Sequence, residues 1–167
     1  GGGSLLALAN NPNNLFVGNK EGCFQTTDGG TSWLVIDTSM VLLANIGSVA
    51  NNNLYIVSGG GVFSLINFTQ PIQTLSMFTD VDANGNSVYV STLGAGVLKS
   101  TNSGETWISS STGIEGKDVR SLAISPSNPN ELIATVWNQC CGVGGFLGVY
   151  KSTDGGANWL QANTGLF

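Results

Sequence analysis

The chain has 167 residues, a net charge of -5 and a sequence pI near 4.2. With 5 basic residues and 41 % hydrophobic content it has the means to bury a core, but no cationic patch to hold nucleic acid or anionic lipid. No apolar run reaches the roughly 18 residues of a membrane span, so membrane insertion is not expected, and only 9 % of residues are charged, which leaves Asn, Ser, Thr and Gly to wet the surface.

The opening "GGGS" reads as a linker, a tag remnant or the tail of something upstream. From Ser4 the chain repeats itself. "SLLALANNPNNLFVGNKEGCFQTTDGGTSWLVI" (4–36) returns as "SLAISPSNPNELIATVWNQCCGVGGFLGVYKSTDGGANWLQA" (121–162). "FTDVDANGNSVYVSTLGAGVLKSTNSGETWISS" (78–110) lies between them, and 46–75 keeps the apolar skeleton without the tryptophan phrase. Trp33 and Trp107 are 74 residues apart, which is two repeats of 37; Trp107 and Trp159 are 52 apart, one repeat carrying an insertion.

Each repeat predicts four short strands: an apolar strand a ("SLAI"), a turn rich in Asn, Pro and Gly, strand b ("ELIATV", "SVYVST"), a glycine-bearing loop, strand c ("GVYKST") and strand d ("NWLQA"). About 40 residues per four-stranded unit is the period of a propeller blade, and no segment carries a sustained helical period. The expected fold is therefore an all-β propeller of four-stranded antiparallel blades, four in this chain, at about 4–40, 41–75, 76–114 and 117–167. An open arc of blades would leave apolar faces bare, so completion by further blades of the same protein or by a second copy is expected.

In the repeated phrase, the carboxylate of Asp154 can accept N–H bonds from a tight turn, Gly155 and Gly156 can supply positive φ, and Trp159 can pack between sheets while its N–H finds a partner. Asn102 stands where Asp28 and Asp154 stand, and an amide cannot act as a general base, so the phrase predicts scaffolding. The pattern S/T-x-D-x-G-x-x-W resembles the Asp-box, or BNR repeat, of propellers found in sialidases, xyloglucanase-type glycoside hydrolases, sortilin-type receptors and photosystem II assembly factor-like proteins. The resemblance covers nearly all of the chain and implies that Thr27, Asp28, Gly30, Trp33, Thr101, Asn102, Gly104, Trp107, Thr153, Asp154, Gly156 and Trp159 are structural. In that family these turns lie at the blade periphery, away from the binding face.

The enzyme readings within the resemblance meet obstacles. Sialidases use three arginines, and this chain has only Arg120. The assembly factors rely on an arginine patch, also absent. Xyloglucanase-type hydrolases need two carboxylates about 5–9.5 Å apart. Glu21 with Glu115 or Asp118 is the available combination, so part of such a hydrolase is the alternative function. "DVDANGNS" (80–87) imitates the start of a calcium loop with Asp80, Asp82 and Asn84, but Ser91 stands where a bidentate Glu belongs; the other reading is an a–b hairpin closed at Asn84-Gly85. With no His and three cysteines there is no zinc or disulfide framework, and no cofactor is expected. Cys23 aligns with Val62, Val97 and Val149 and reads as core.

The unrepeated "WNQCCGVGGFLG" (137–148) falls in the b–c loop of the last repeat, on the side opposite the Asp-box turns. Trp137, Cys140, Cys141 and Phe146 are its candidate ligand or partner residues, with a vicinal Cys140–Cys141 disulfide possible in an oxidising compartment. The function expected from the sequence is a non-catalytic binding or scaffolding module, secreted or at the cell surface, that recognises a protein or glycan through this face.

Overall fold

The structure is a computed structural model that describes residues 4–8, 11–19, 21–37, 45–50, 53–58, 61–64, 77–138 and 145–166. The described residues fold as fifteen strands in four antiparallel sheets, each strand pairing with the next in sequence. The first sheet holds β1 (Ser4–Leu8), β2 (Asn11–Asn19), β3 (Gly22–Thr26) and β4 (Leu34–Asp37). The second holds β5 (Asn45–Ala50), β6 (Asn53–Ser58) and β7 (Gly61–Ser64). The third is β8 (Phe78–Asn84), β9 (Ser87–Thr92), β10 (Val97–Ser100) and β11 (Ile108–Ser109); the fourth is β12 (Asp118–Ile124), β13 (Leu132–Trp137), β14 (Phe146–Ser152) and β15 (Leu160–Gln161). The alternation of short β-branched and apolar runs with Asn- and Gly-rich turns dictates this meander.

The leading strands pack in succession, β1 on β5, β5 on β8 and β8 on β12. Strand burial reports where each sheet stands in that stack. In β9, "SVYVST", Val88 to Thr92 are all buried, because the third sheet has neighbours on both faces. In β13, "LIATVW", burial alternates along the strand, because among the described residues only one face of the fourth sheet has a neighbouring sheet. Two cores result. One joins Tyr89, Val97 and Ile114 of the third sheet and its outgoing connection to Leu122, Leu132, Val136 and Trp159 of the fourth; the other gathers Tyr55 of the second sheet with Phe78, Val81, Val88 and Val90 of the third. Cys23 on β3 is buried, as its alignment with three valines predicts.

The leading strands of the second, third and fourth sheets each carry one extra residue, a β-bulge at Gly47, Thr79 and Arg120. The bulge turns Thr79 toward the next sheet, where its Oγ1 donates to the Val119 carbonyl at 2.6 Å. Beyond it, Asp80 Oδ2 accepts from Leu122 N at 3.1 Å and Ser121 Oγ at 2.8 Å, and Asp82 Oδ2 accepts from Ile124 N at 2.7 Å. The calcium-like spacing of Asp80, Asp82 and Asn84 thus serves a junction between sheets: alternate residues of a strand share a face, and here that face meets the unpaired N–H groups of β12. Asn84 adds a bond from Nδ2 to the Ser125 carbonyl at 3.4 Å. Among the described residues no group of three or more His, Cys, Asp or Glu could hold a metal. The β8–β9 hairpin closes on the pair Asn84–Ser87, so its two central residues are Gly85 and Asn86, one place later than Asn84-Gly85. Gly85 takes the positive φ, +61°.

Candidate functional site

The three Asp-box turns join β3 to β4, β10 to β11 and β14 to β15, and all use the same bonds. In the last, Ser152 Oγ donates to Asp154 Oδ1 at 2.8 Å and accepts from Gly156 N at 2.9 Å. Asp154 Oδ1 then accepts from Asn158 N at 2.9 Å, and Oδ2 from Asn158 Nδ2 at 2.8 Å. Thr26, Asp28, Gly30 and Ser32 repeat this in the first sheet. Ser100, Asn102, Gly104 and Thr106 repeat it in the third, with the amide of Asn102 accepting through Oδ1 and donating through Nδ2. The hydroxyl in the clasp is two residues before the acid, at Thr26, Ser100 and Ser152, all buried. Thr27, Thr101 and Thr153, named from the sequence, are exposed. Ser152→Ala is expected to lower stability by about 1–2 kcal/mol and Thr153→Ala by under about 0.5 kcal/mol, read from urea unfolding.

The bonds from Ser32 to Asp28 hold that carboxyl well below its usual range, and those from Asn158 lower Asp154 from 3.8 to about 2. Both groups have depressed folded pKa values. They therefore stabilise the fold above the unfolded value near 4, and this is lost as pH falls from about 4 toward 2. Burial moves Asp80 the other way, upward, so its contribution is present below the unfolded value and lost as pH rises through its folded pKa. The melting temperature is expected to fall between pH 4 and pH 2, and a double variant Asp28→Asn, Asp154→Asn to show a flatter acid limb, since Asn102 already performs the clasp without titrating. An equally steep limb in the variant would refute the assignment.

The clasps also join sheets. Tyr89 Oη and Lys99 Nζ of the third sheet donate to the Gly155 carbonyl at 2.9 and 2.8 Å, and Ser110 Oγ donates to the Gly156 carbonyl at 2.8 Å. Trp159 Nε1 donates to the Ser110 carbonyl at 2.8 Å and Trp159 N to the Thr112 carbonyl at 2.9 Å. Tyr55 of the second sheet reaches the Ser103 carbonyl at 3.5 Å in the same way. Tyr55 and Tyr89 were not singled out from the sequence, although their equivalent places in "NNLYIVS" and "NSVYVST" were the available signal. Trp159 is 2 % exposed, Trp107 is half-buried with Nε1 on the Gly104 carbonyl at 2.9 Å, and Trp33 is 43 % exposed.

At the opposite end of the fourth sheet a different group assembles. The bulge at Arg120 sets its guanidinium 5.3 Å from the Trp137 ring centroid, and Trp137 lies 5.2 Å from Phe146, tilted by 52°. Asp118, paired with Trp137 across the ladder, is buried, with Oδ2 4.0 Å from Arg120 Nη2. Among the described residues, Asp118 Oδ1 is buried without a hydrogen-bond partner. Phe146 and Arg120 are exposed. Cys140 and Cys141 lie outside the described residues. Of the other acidic candidates, Glu115 lies three residues before Asp118, and Glu21 belongs to the first sheet. Glu115 Oε2 accepts from Gly113 N at 2.8 Å within the connection that precedes β12. Glu21 sits on the β2–β3 turn of the first sheet, with its N–H on Asn19 Oδ1 at 2.7 Å; the second and third sheets intervene between it and Asp118.

No protein-family model and no curated protein matches the chain. Solved structures do. A GH74 enzyme from Niastella koreensis superposes with a TM-score of 0.72 at 21 % identity, over 94 % of this chain and 28 % of that one. The GH74 xyloglucanase from Xanthomonas campestris gives 0.70 at 14 % identity, over 93 % and 29 %. YCF48 from Cyanidioschyzon merolae gives 0.61 at 12 % identity, over 94 % and 54 %. The chain thus spans under a third of the two GH74 enzymes and about half of the YCF48 protein. The matches establish the fold as that of Asp-box β-propellers, in agreement with the repeated phrase.

Proposed function

We propose that the chain forms four blades of a propeller that acts as a non-catalytic recognition module, in an extracellular or cell-surface setting, and that further blades or a second copy complete it. Its ligand, a glycan, engages the end of the fourth sheet opposite the Asp-box turns. The observation that carries this is the Arg120–Trp137–Phe146 stack, with Phe146 and Arg120 exposed. An exposed aromatic edge with a guanidinium suits the CH surface and hydroxyls of a neutral sugar. The Asp-box end supports no such role, since its polar groups are already bonded to one another.

Titration calorimetry with neutral β-glucan oligosaccharides tests the reading. Binding is expected, weakened at least about tenfold by Phe146→Ala or Trp137→Ala and unchanged by Thr153→Ala. No binding to any glycan overturns the glycan reading in favour of a protein ligand. Hydrolysis abolished by Glu21→Gln or Asp118→Asn overturns the non-catalytic reading in favour of a xyloglucanase-type hydrolase.

A further inference from the structure

We propose that Thr79 and Asp80 of the third sheet are positioning residues for the Arg120–Trp137–Phe146 group on the fourth, so that the ligand site is held from two sheets. This rests on the role proposed for that group and deepens it by naming what keeps Arg120 over Trp137.

The need arises from the bulge. In the ladder between β12 and β13, Val119 pairs with Val136 and Ser121 with Thr135, and Arg120 between them has no partner. An unpaired residue takes no direction from the ladder, and bulges are where strands re-aim a side chain. The Arg120 guanidinium lies 5.3 Å from the Trp137 ring centroid, although the residue paired with Trp137 is Asp118. Among the described residues, Asp118 offers that guanidinium an ion pair at 4.0 Å, beyond hydrogen-bond length, which is too loose to fix its direction. The backbone on which Arg120 stands must be held instead.

The third sheet holds that backbone on both flanks of the bulge. Before it, Thr79 Oγ1 donates to the Val119 carbonyl at 2.6 Å, and Ser91 Oγ, 2.7 Å away, steadies the same hydroxyl. After it, Asp80 Oδ2 accepts from Ser121 Oγ at 2.8 Å and from Leu122 N at 3.1 Å. Asp80 Oδ1 accepts from Val81 N on its own strand at 2.9 Å, which orients the carboxylate and leaves Oδ2 for β12. Val119 and Leu122 are buried, so these bonds are shielded from competing water. Thr79 is itself the extra residue of β8. The bulge of one sheet thus grips the bulge of the next, as supporting bonds behind a binding group do.

Asp82 supplies the contrast. It is the same side chain on the same face of β8, with Oδ1 on Ala83 N at 2.8 Å and Oδ2 on Ile124 N at 2.7 Å. Ile124 pairs with Leu132, at the far end of the ladder from Trp137. Bonds that only held the two sheets together would make Asp80 and Asp82 matter alike. Bonds that aim Arg120 make Asp80 matter at the site and Asp82 not.

Two measurements on the 167-residue chain test this. The first needs no ligand: the Trp137 ring current displaces the Arg120 side-chain proton resonances upfield, which NMR reads. The displacement is expected to be lost in Asp80→Asn and in Thr79→Val. It is expected to persist in Asp82→Asn and in Thr79→Ser, which keeps the hydroxyl. The second is calorimetry with the β-glucan oligosaccharides. Asp80→Asn and Thr79→Val are expected to weaken binding about three- to thirtyfold, although neither side chain touches the ligand. Asp82→Asn and Thr79→Ser stay within about twofold of the unaltered chain. Circular dichroism verifies that each variant is folded; should Asp80→Asn not fold, the two Thr79 variants decide alone. Equal effects of Asp80→Asn and Asp82→Asn, or of Thr79→Val and Thr79→Ser, overturn the proposal, as do Arg120 resonances that none of the variants moves. A chain that binds no glycan while its Arg120 resonances follow the expected pattern overturns the glycan reading and supports the positioning role.

Discussion

Trp159→Ala is expected to destabilise the chain by about 3–5 kcal/mol, a large part of the roughly 5–15 kcal/mol that a folded domain has to lose. The same substitution at Trp107 should cost less, about 1–3 kcal/mol, and at Trp33 under about 1 kcal/mol in the monomer. The three tryptophans occupy one motif position, so propensity and local turn chemistry are equal, and what differs is the preceding sheet. Trp159 is packed among Tyr89, Ile114 and Leu132, and its indole N–H is spent on Ser110 of the third sheet. Trp107 keeps its N–H on its own turn and packs at the edge of the Tyr55 cluster. Trp33 has 43 % of its surface in solvent. Urea unfolding of the three variants reads the order directly; equal losses would mean that the tryptophan acts within its own turn and not across the junction.

Gly113→Ala carries the second large effect, about 2–5 kcal/mol. A left-handed backbone costs an L-residue about 1–2 kcal/mol, and forcing a methyl into a filled contact adds about 1–3 kcal/mol. The atom in the way is the backbone carbonyl of Trp159, which cannot step aside without moving β15. Gly165→Ala, at the equivalent place in the last repeat, meets open space and should cost only the first of these terms. The difference between the two, measured by thermal or urea unfolding, isolates the contact between the third and fourth sheets from the conformational strain common to both.

The fold was largely legible because the chain writes it more than once. Strand lengths, turn residues and the phrase ending in Trp all repeat at a spacing that suits a four-stranded unit, and the buried Cys23 falls where valines stand in the other copies. The clasp was legible as a clasp but misread by one residue: "TT" and "ST" offer two adjacent hydroxyls, and pleating alone puts the first of them inside. What could not be read was contact between repeats. Asp80 and Asp82 look like metal ligands in one dimension, because alternate acids on a strand are also what a calcium loop begins with. Only the approach of β12 shows which N–H groups they meet. Arg120, Trp137 and Phe146 come together through a bulge and a hairpin ladder. Of the three, the sequence marked the two aromatics and treated the arginine only as too few for a sialidase.

The central claim is that an Asp-box tryptophan locks its sheet to the one before it, as Trp159 does and Trp107 does in part, whereas Trp33 has no such sheet among the described residues. Hydrogen exchange of the indole N–H groups, followed by NMR on the monomeric chain, tests it most directly, since all four tryptophans are resolved in one experiment. The prediction is that the Trp159 indole exchanges only on global opening, that Trp107 is intermediate, and that Trp33 exchanges close to the rate of free indole. Equal protection at Trp33 and Trp159, or rapid exchange at Trp159, would contradict it.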